Sequence, residues 1–223
     1  METAIEVKGL TKNYGEITAV DHINFEVKNG EIFGFLGPNG AGKTTTIRIL
    51  TGVIKPDSGT ATIMDYSILE EPLKAKQIMS VVPEMANAYI DLTAWQNLML
   101  IGELYGVPKK KRQERANHLL KEFKLYKRRN HWARGFSKGM KQKLILCTAL
   151  LTEPQVLFLD EPTSGLDVES ARLIRDVIRQ YNRDGTTIFL STHNMEEANK
   201  LCDRIAIINH GKIAAIDSPE NLR

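Results

Sequence analysis

The hydrophobic positions change period three times along the chain. Residues 3–28 alternate, with Ile5 and Val7, then Ile23, Phe25 and Val27, on one side of an extended backbone. A period of two predicts half-buried antiparallel strands. Lys12-Asn13-Tyr14-Gly15 reads as the turn between them, carrying an aromatic, and Asn29-Gly30 as the next turn. Ile32-Phe33-Gly34-Phe35-Leu36 is apolar throughout and reads as a buried strand, with a helix from Thr45 to Thr51 closed by Gly52. Asp57-Ser58-Gly59 turns into another strand, Thr60-Ala61-Thr62-Ile63-Met64.

From Leu92 to Leu151 the period becomes helical. Thr93-x-x-Gln96 is a capping box, opening a helix through Leu98, Ile101 and Tyr105. Pro108 begins a second helix with Ala116, Leu119, Leu120 and Phe123 on one face. Ser137 can cap a third, running to Leu151. Strands then return. Val156-Leu157-Phe158-Leu159 is apolar without alternation, as in a central parallel strand buried on both faces. A helix with Ala171, Ile174, Val177, Ile178 and Tyr181 on one face leads to the strand Thr187-Ile188-Phe189-Leu190. A short helix (Met195, Ala198, Cys202) precedes Arg204-Ile205-Ala206-Ile207-Ile208 and a hairpin around His210-Gly211. Alternating strands and helices predict an α/β fold with a parallel-sheet core. One domain in three parts is expected: an antiparallel β-lobe (1–30 and 55–66), a core (31–54, 67–88 and 152–223) and an inserted α-helical lobe (89–151).

Composition narrows the class. With 223 residues the chain can bury a sizeable core. A net charge of +3 is too mild to imply nucleic-acid binding. The Lys109-Lys110-Lys111-Arg112 run reads as a solvated helix face, the sharper alternative being contact with anionic lipid headgroups. Cys147 and Cys202 lie in apolar helical patterns and are expected to be reduced core residues. Met1-Glu2-Thr3-Ala4 starts no basic-then-apolar leader, and no window has eighteen apolar residues free of charge. A cytosolic protein is expected.

The chemistry centres on Gly37-Pro38-Asn39-Gly40-Ala41-Gly42-Lys43-Thr44, which fills the pattern G-x-x-x-x-G-K-[ST]. At average residue usage its four fixed positions coincide by chance in roughly one chain of this length per hundred, and the flanking strand and helix lower that further. Glycines let backbone N–H groups curl around a triphosphate, at a helix N-terminus that favours anions. Lys43 is then expected to bridge the β- and γ-phosphates, and Thr44 to bind Mg²⁺, with Thr45 beside it. Asp160 and Glu161 end a parallel strand, where open sheets present their ligands. Asp160 is placed to hold Mg²⁺ through water, and Glu161 to polarise the water attacking the γ-phosphate. His193 ends the next strand and reads as a donor to that phosphate. Tyr14 could stack on a base, with Val20 beside it.

Taken together these residues resemble an ATP-binding-cassette (ABC) nucleotide-binding domain over the whole chain. The resemblance rests on the order of its motifs. Tyr14 stands as the adenine-stacking aromatic, and 37–44 as Walker A. Val82-Pro83-Glu84 holds the Q-loop position, and Phe136-Ser137-Lys138-Gly139-Met140 the family signature. Asp160 and Glu161 form Walker B, Ser164-Gly165-Leu166-Asp167 the D-loop, and His193 the switch histidine. Two positions depart from the pattern. The signature usually reads L-S-G-G-Q, and here Lys138 and Met140 replace its first glycine and its glutamine. Glu84 stands in place of Gln, keeping an oxygen ligand for Mg²⁺ or water but adding charge and losing the amide donors. Both departures are similar to those in the branch serving type 2 exporters of drugs, ions or polysaccharides. The resemblance implies a P-loop NTPase (RecA-like) core and an ATPase using ATP and Mg²⁺. It also implies a head-to-tail dimer around two ATP, each contacted by the partner's signature residues, driving separate integral-membrane subunits from the inner face of the membrane. A soluble ABC ATPase acting on nucleic acid or ribosomes is the alternative. Such relatives usually carry tandem cassettes, a long coiled-coil insert or a Cys-rich metal site, so no nucleic-acid partner is expected. A non-hydrolysing nucleotide sensor is a third reading, opposed by Lys43, Glu161 and His193.

Overall fold

The computed structural model describes residues 2–84 and 88–222. Its elements begin with β1 (Thr3–Tyr14), β2 (Ile17–Lys28), β3 (Ile32–Leu36), α1 (Lys43–Leu50), β4 (Ser58–Ile63), β5 (Tyr66–Ser67), α2 (Pro72–Ile78) and β6 (Met79–Val82). Three helices follow, α3 (Ala94–Leu104), α4 (Lys109–Glu122) and α5 (Lys138–Leu150). The chain closes with β7 (Val156–Asp160), α6 (Val168–Arg183), β8 (Thr187–Thr192), α7 (Met195–Leu201), β9 (Arg204–Asn209) and β10 (Lys212–Asp217).

Two sheets result. One is antiparallel, in the order β2-β1-β4-β5. The other runs β10-β9-β3-β8-β7-β6, parallel throughout except for the antiparallel edge strand β10. Because successive strand residues face opposite sides, each central strand feeds two cores. Ile32 and Leu36 of β3, Leu157 and Leu159 of β7, and Ile188 and Leu190 of β8 face the helices, in one cluster that takes in Leu98, Leu120, Phe123 and Leu144 with Ile174 of α6 and Leu201 of α7. Phe33, Phe35, Phe158 and Phe189 face the other way, toward the antiparallel sheet. Phe25 of β2 enters that aromatic cluster, with its ring centroid 5.6 Å from those of both Phe33 and Phe35. Rings at this spacing hold the antiparallel sheet against the parallel one. The first glycine of the phosphate loop thus emerges from β3 at the middle of the parallel sheet.

Thr93 and Gln96 form the expected capping box of α3, each side chain bonding the other's backbone N–H. Ser137 caps α5 by accepting from Met140 N at 3.2 Å. Several boundaries differ from the sequence reading. Lys12 to Tyr14 belong to β1, leaving Gly15 and Glu16 as the turn. The phosphate-loop helix starts at Lys43, because Gly42 in the left-handed region (φ 109°) serves as its N-cap. The helix α2 and the strands β5 and β6 add to the expected elements. Ile78 passes directly into Met79, with no Gly or Pro to mark where helix becomes strand.

Candidate active site

The loop 37–44 lies between β3 and α1, pinned by neighbouring strands. Gly37 N donates to Thr192 O at 3.3 Å, at the end of β8. A Cβ on Gly37 would collide with the Ile208 carbonyl oxygen, and one on Gly42 with that of Ala19. Close backbone approach therefore demands glycine at both positions. The loop opens onto a cleft of about 300 Å³ lined by Ala19, Asn39, Gly40, Gly42, Lys43, Thr44, Thr45, Glu84 and Glu161.

The charged groups around this cleft are mutually connected. The buried ammonium of Lys43 donates to Gly37 O (2.8 Å) and Pro38 O (3.1 Å). It lies 3.5 Å from Glu161 Oε1, within ion-pair reach but without a hydrogen bond. Thr44 Oγ1 donates to Asp160 Oδ2 at 2.8 Å, and the Ser191 hydroxyl donates to the other Asp160 oxygen. Glu161 N donates to Ser191 O at 3.1 Å. Glu161 has φ +50°, a left-handed conformation uncommon outside glycine. Adjacent strand residues point to opposite faces, and this turn lets Glu161 share the site with Asp160. Its Oε2 meets His193 Nδ1 at 2.9 Å, while Oε1 is buried without a hydrogen-bond partner. A buried acceptor left open beside a lysine, in a glycine-lined cleft, is a place for a donor such as water.

Tyr14 is 47% exposed at the end of β1, with Lys12 Nζ 5.8 Å from its ring centroid; it does not line the cleft. Val20 is corrected. Its side chain is fully buried in the antiparallel lobe's core, and Ala19 lines the cleft instead. The reason is an irregularity at His22 (φ +49°), where the β1–β2 register shifts between the Leu10–Ile23 and Lys12–Val20 pairs. Glu84 lines the cleft, whereas Met85, Ala86 and Asn87, which follow it in sequence, lie outside the described residues.

The signature residues sit elsewhere. Phe136 is buried, Ser137 and Lys138 are exposed, and Met140 packs against the helical core. A Cβ on Gly139 would lie 2.7 Å from Ser170 Oγ, so the starts of α5 and α6 are in close contact. Lys138 Nζ lies over Gly165, where an added Cβ would meet it at 2.5 Å. Leu166 packs on the helical core, and Asp167 caps α6 by accepting from Ser170 N at 2.8 Å. That backbone bond holds the Asp167 carboxyl below the usual carboxylate range. Residues 136–140 and 164–167 thus meet one another, and none of them lines the Lys43–Glu161 cleft. The sequence reading missed Ser191, Thr192 and Ala19. Hydroxyls at a strand's end were the available signal for the first two.

Residues 20–164 match the family model described as ABC transporter. The linearmycin resistance ATP-binding protein LnrL of Bacillus subtilis is 40% identical over 98% of this chain and 70% of its own length. The Nod factor export ATP-binding protein I of Ralstonia nicotianae is 40% identical over 98% of this chain and 68% of its own. Among solved structures, an ATP-binding subunit of an ABC transporter superposes with TM-score 0.91 at 32% identity, covering 99% of this chain and 92% of that one. A dimeric ATP-binding cassette in a post-hydrolysis state, bound to ADP and Pi, superposes with TM-score 0.87 at 27% identity, covering 96% and 98%.

Proposed function

The chain belongs to the ABC transporter family as an ATP-binding, ATP-hydrolysing cassette, and from that premise we propose that it powers export through separate integral-membrane subunits. Relatives named for drug resistance and Nod factor export support the direction. In this reading the chain works at the cytoplasmic face of the membrane, as one half of a head-to-tail pair around two ATP. Among the described residues no helix is long and apolar enough to cross a membrane, and in this reading the pore belongs to the membrane subunits.

The observation that carries the hydrolytic role is the open oxygen of Glu161, buried 3.5 Å from the Lys43 ammonium. Lys43 and the loop's N–H groups bind the phosphates, and Thr45 sits beside them. Glu161 Oε1 accepts the proton of the attacking water. His193 Nδ1 holds the other carboxylate oxygen, and in this reading its Nε2 serves the γ-phosphate. Thr44 and Glu84 line one cleft and Asp160 bonds Thr44, so all three offer hard oxygen donors, a type that fits Mg²⁺. When bound, the metal supplies positive charge against the phosphate oxygens. Tyr14 stacks on the base from the β1–β2 hairpin. Ser137, Lys138 and Gly139, outside their own chain's cleft, serve the partner's nucleotide, and residues 164–167 line the contact between cassettes.

Affinity purification of the tagged chain from detergent-solubilised membranes tests the assignment. An integral-membrane subunit should co-purify and raise ATP turnover when reconstituted with the chain in vesicles. Recovery with ribosomes or nucleic acid and no membrane subunit would favour the soluble alternative.

A further inference from the structure

Glu197, in the first turn of α7, is only 6% exposed although it lies outside the nucleotide cleft. Both its oxygens are engaged. One accepts from the Thr163 hydroxyl, and the other from Thr192 Oγ1 at 3.0 Å. Thr163 follows Glu161 by two residues, and Thr192 immediately precedes His193. The Thr192 carbonyl also accepts from Gly37 N, the first glycine of the phosphate loop.

The sequence around it suggests an ordinary helix start. Asn194-x-x-Glu197 has the spacing of a capping box, in which the acid returns to the N-cap backbone N–H. Asn194 does cap α7, its Oδ1 accepting from Glu196 N (2.9 Å) and Glu197 N (3.2 Å). The return bond is absent, because Asn194 N donates to Thr192 Oγ1 at 3.0 Å instead. Glu197 is thereby released to bridge two loops. Burying a carboxylate is costly, and α7 needs none for packing, since its other inward residues are Ala198 and Leu201.

We propose that Glu197 is a positioning residue for hydrolysis, in a role that rests on reading Glu161 and His193 as the hydrolytic pair. By holding Thr163 and Thr192 it fixes the segment leaving Glu161 against the segment entering His193. The 2.9 Å contact between those two side chains depends on that bridge. A misplacement of about 1 Å from a remote residue can cost on the order of a hundredfold in rate.

The test compares purified Glu197→Gln, Thr163→Val, their double variant and, as a reference, Glu161→Gln. Glu197→Gln removes one acceptor at constant shape. Its kcat should fall about tenfold to a hundredfold, while KM and the affinity for a fluorescent ATP analogue stay within about threefold. Thr163→Val should lower kcat in the same direction, and the double variant should be no slower than Glu197→Gln, because both break one link. The ¹⁵N resonance of His193 Nδ1, assigned by its loss in His193→Gln, should shift in Glu197→Gln. Wild-type kcat in Glu197→Gln and Thr163→Val, with that resonance unmoved and Glu161→Gln inactive, overturns the proposal and leaves the pair's assignment standing. A kcat loss matched by loss of nucleotide-binding protein overturns it too, as the mark of plain destabilisation. A fully active Glu161→Gln removes the hydrolytic reading itself. Should Glu197→Gln fail to fold, Thr163→Val decides alone, by the same rate and the same resonance.

Discussion

His193 Nδ1 reaches Glu161 Oε2 at 2.9 Å because Glu161 leaves β7 in the left-handed region, with φ +50°. A non-glycine residue held there costs roughly 1–2 kcal/mol. The strain is tolerated where Glu161 N is fixed by Ser191 O and where both strand ends belong to one hydrogen-bonded sheet.

Hydrolysis should therefore depend on Glu161. Loss of a general base costs about 10²–10⁴ in rate. Glu161→Gln should still bind ATP and accumulate as a nucleotide-trapped dimer, seen as an earlier peak in size-exclusion chromatography. Undiminished turnover in that variant would remove Glu161 from the mechanism.

Tyr14 stands exposed at the tip of the β1–β2 hairpin, with the Lys12 ammonium near its ring. Stacking of a base on an aromatic is worth about 1–3 kcal/mol. Tyr14→Ala should weaken ATP binding several-fold or more by titration calorimetry, whereas Tyr14→Phe and Tyr14→Trp should not. Equal affinities for the Ala and Phe variants would show that the base lies elsewhere.

What the sequence made legible follows the range of the interactions. The phosphate loop announces itself because close backbone approach at Gly37 and Gly42 admits only glycine, a requirement written into consecutive residues. The parallel strands β3, β7 and β8 announce themselves because burial on both faces leaves no polar alternation. Val20 turns inward because the irregularity at His22 switches which residues of β2 face the core, and a single histidine, though enriched at positive φ, is too weak a mark of such a turn. β6 escaped because its four residues follow a helix without punctuation and are recognisable only from their pairing with β7. Glu197 was hidden by a local pattern that looks like a cap, while its partners lie on two other segments of chain. The positive φ at Glu161 has no local signature at all.

Glu84 lines the cleft with Thr44 and Glu161, where an oxygen can serve a metal or a water. Glu84→Gln keeps one such oxygen and should retain Mg²⁺-dependent turnover. Glu84→Ala keeps none and should lose much of it. Comparable activity in Glu84→Ala, measured across a Mg²⁺ titration, would show that this side chain touches neither metal nor water.

The docking site of the membrane partner should lie along residues 88–92, which lead to α3. Tyr89 and Ile90 are 52% and 47% exposed, yet the backbone beneath them is held firmly. The buried Asn97 side chain accepts from Tyr89 N at 2.8 Å and donates to Tyr89 O at 3.0 Å and Thr93 O at 2.9 Å. Arg134 N adds a bond to Ile90 O at 3.0 Å. A fixed backbone presenting uncovered apolar side chains suits an interface, since little ordering remains to be done on binding. Tyr89 follows the cleft-lining Glu84 by only five residues in sequence, so a change at the cleft is close along the chain to this surface. Tyr89→Asp should release the chain from membranes containing its partner, read by sedimentation, and leave ATP binding by the isolated chain intact. Asn97→Ala should act differently, destabilising the isolated chain by about 1–3 kcal/mol through the buried groups left unpaired, read as a lower midpoint in urea. Should Tyr89→Asp unfold the isolated chain or abolish its ATP binding, Tyr89 belongs to the core and the partner docks elsewhere.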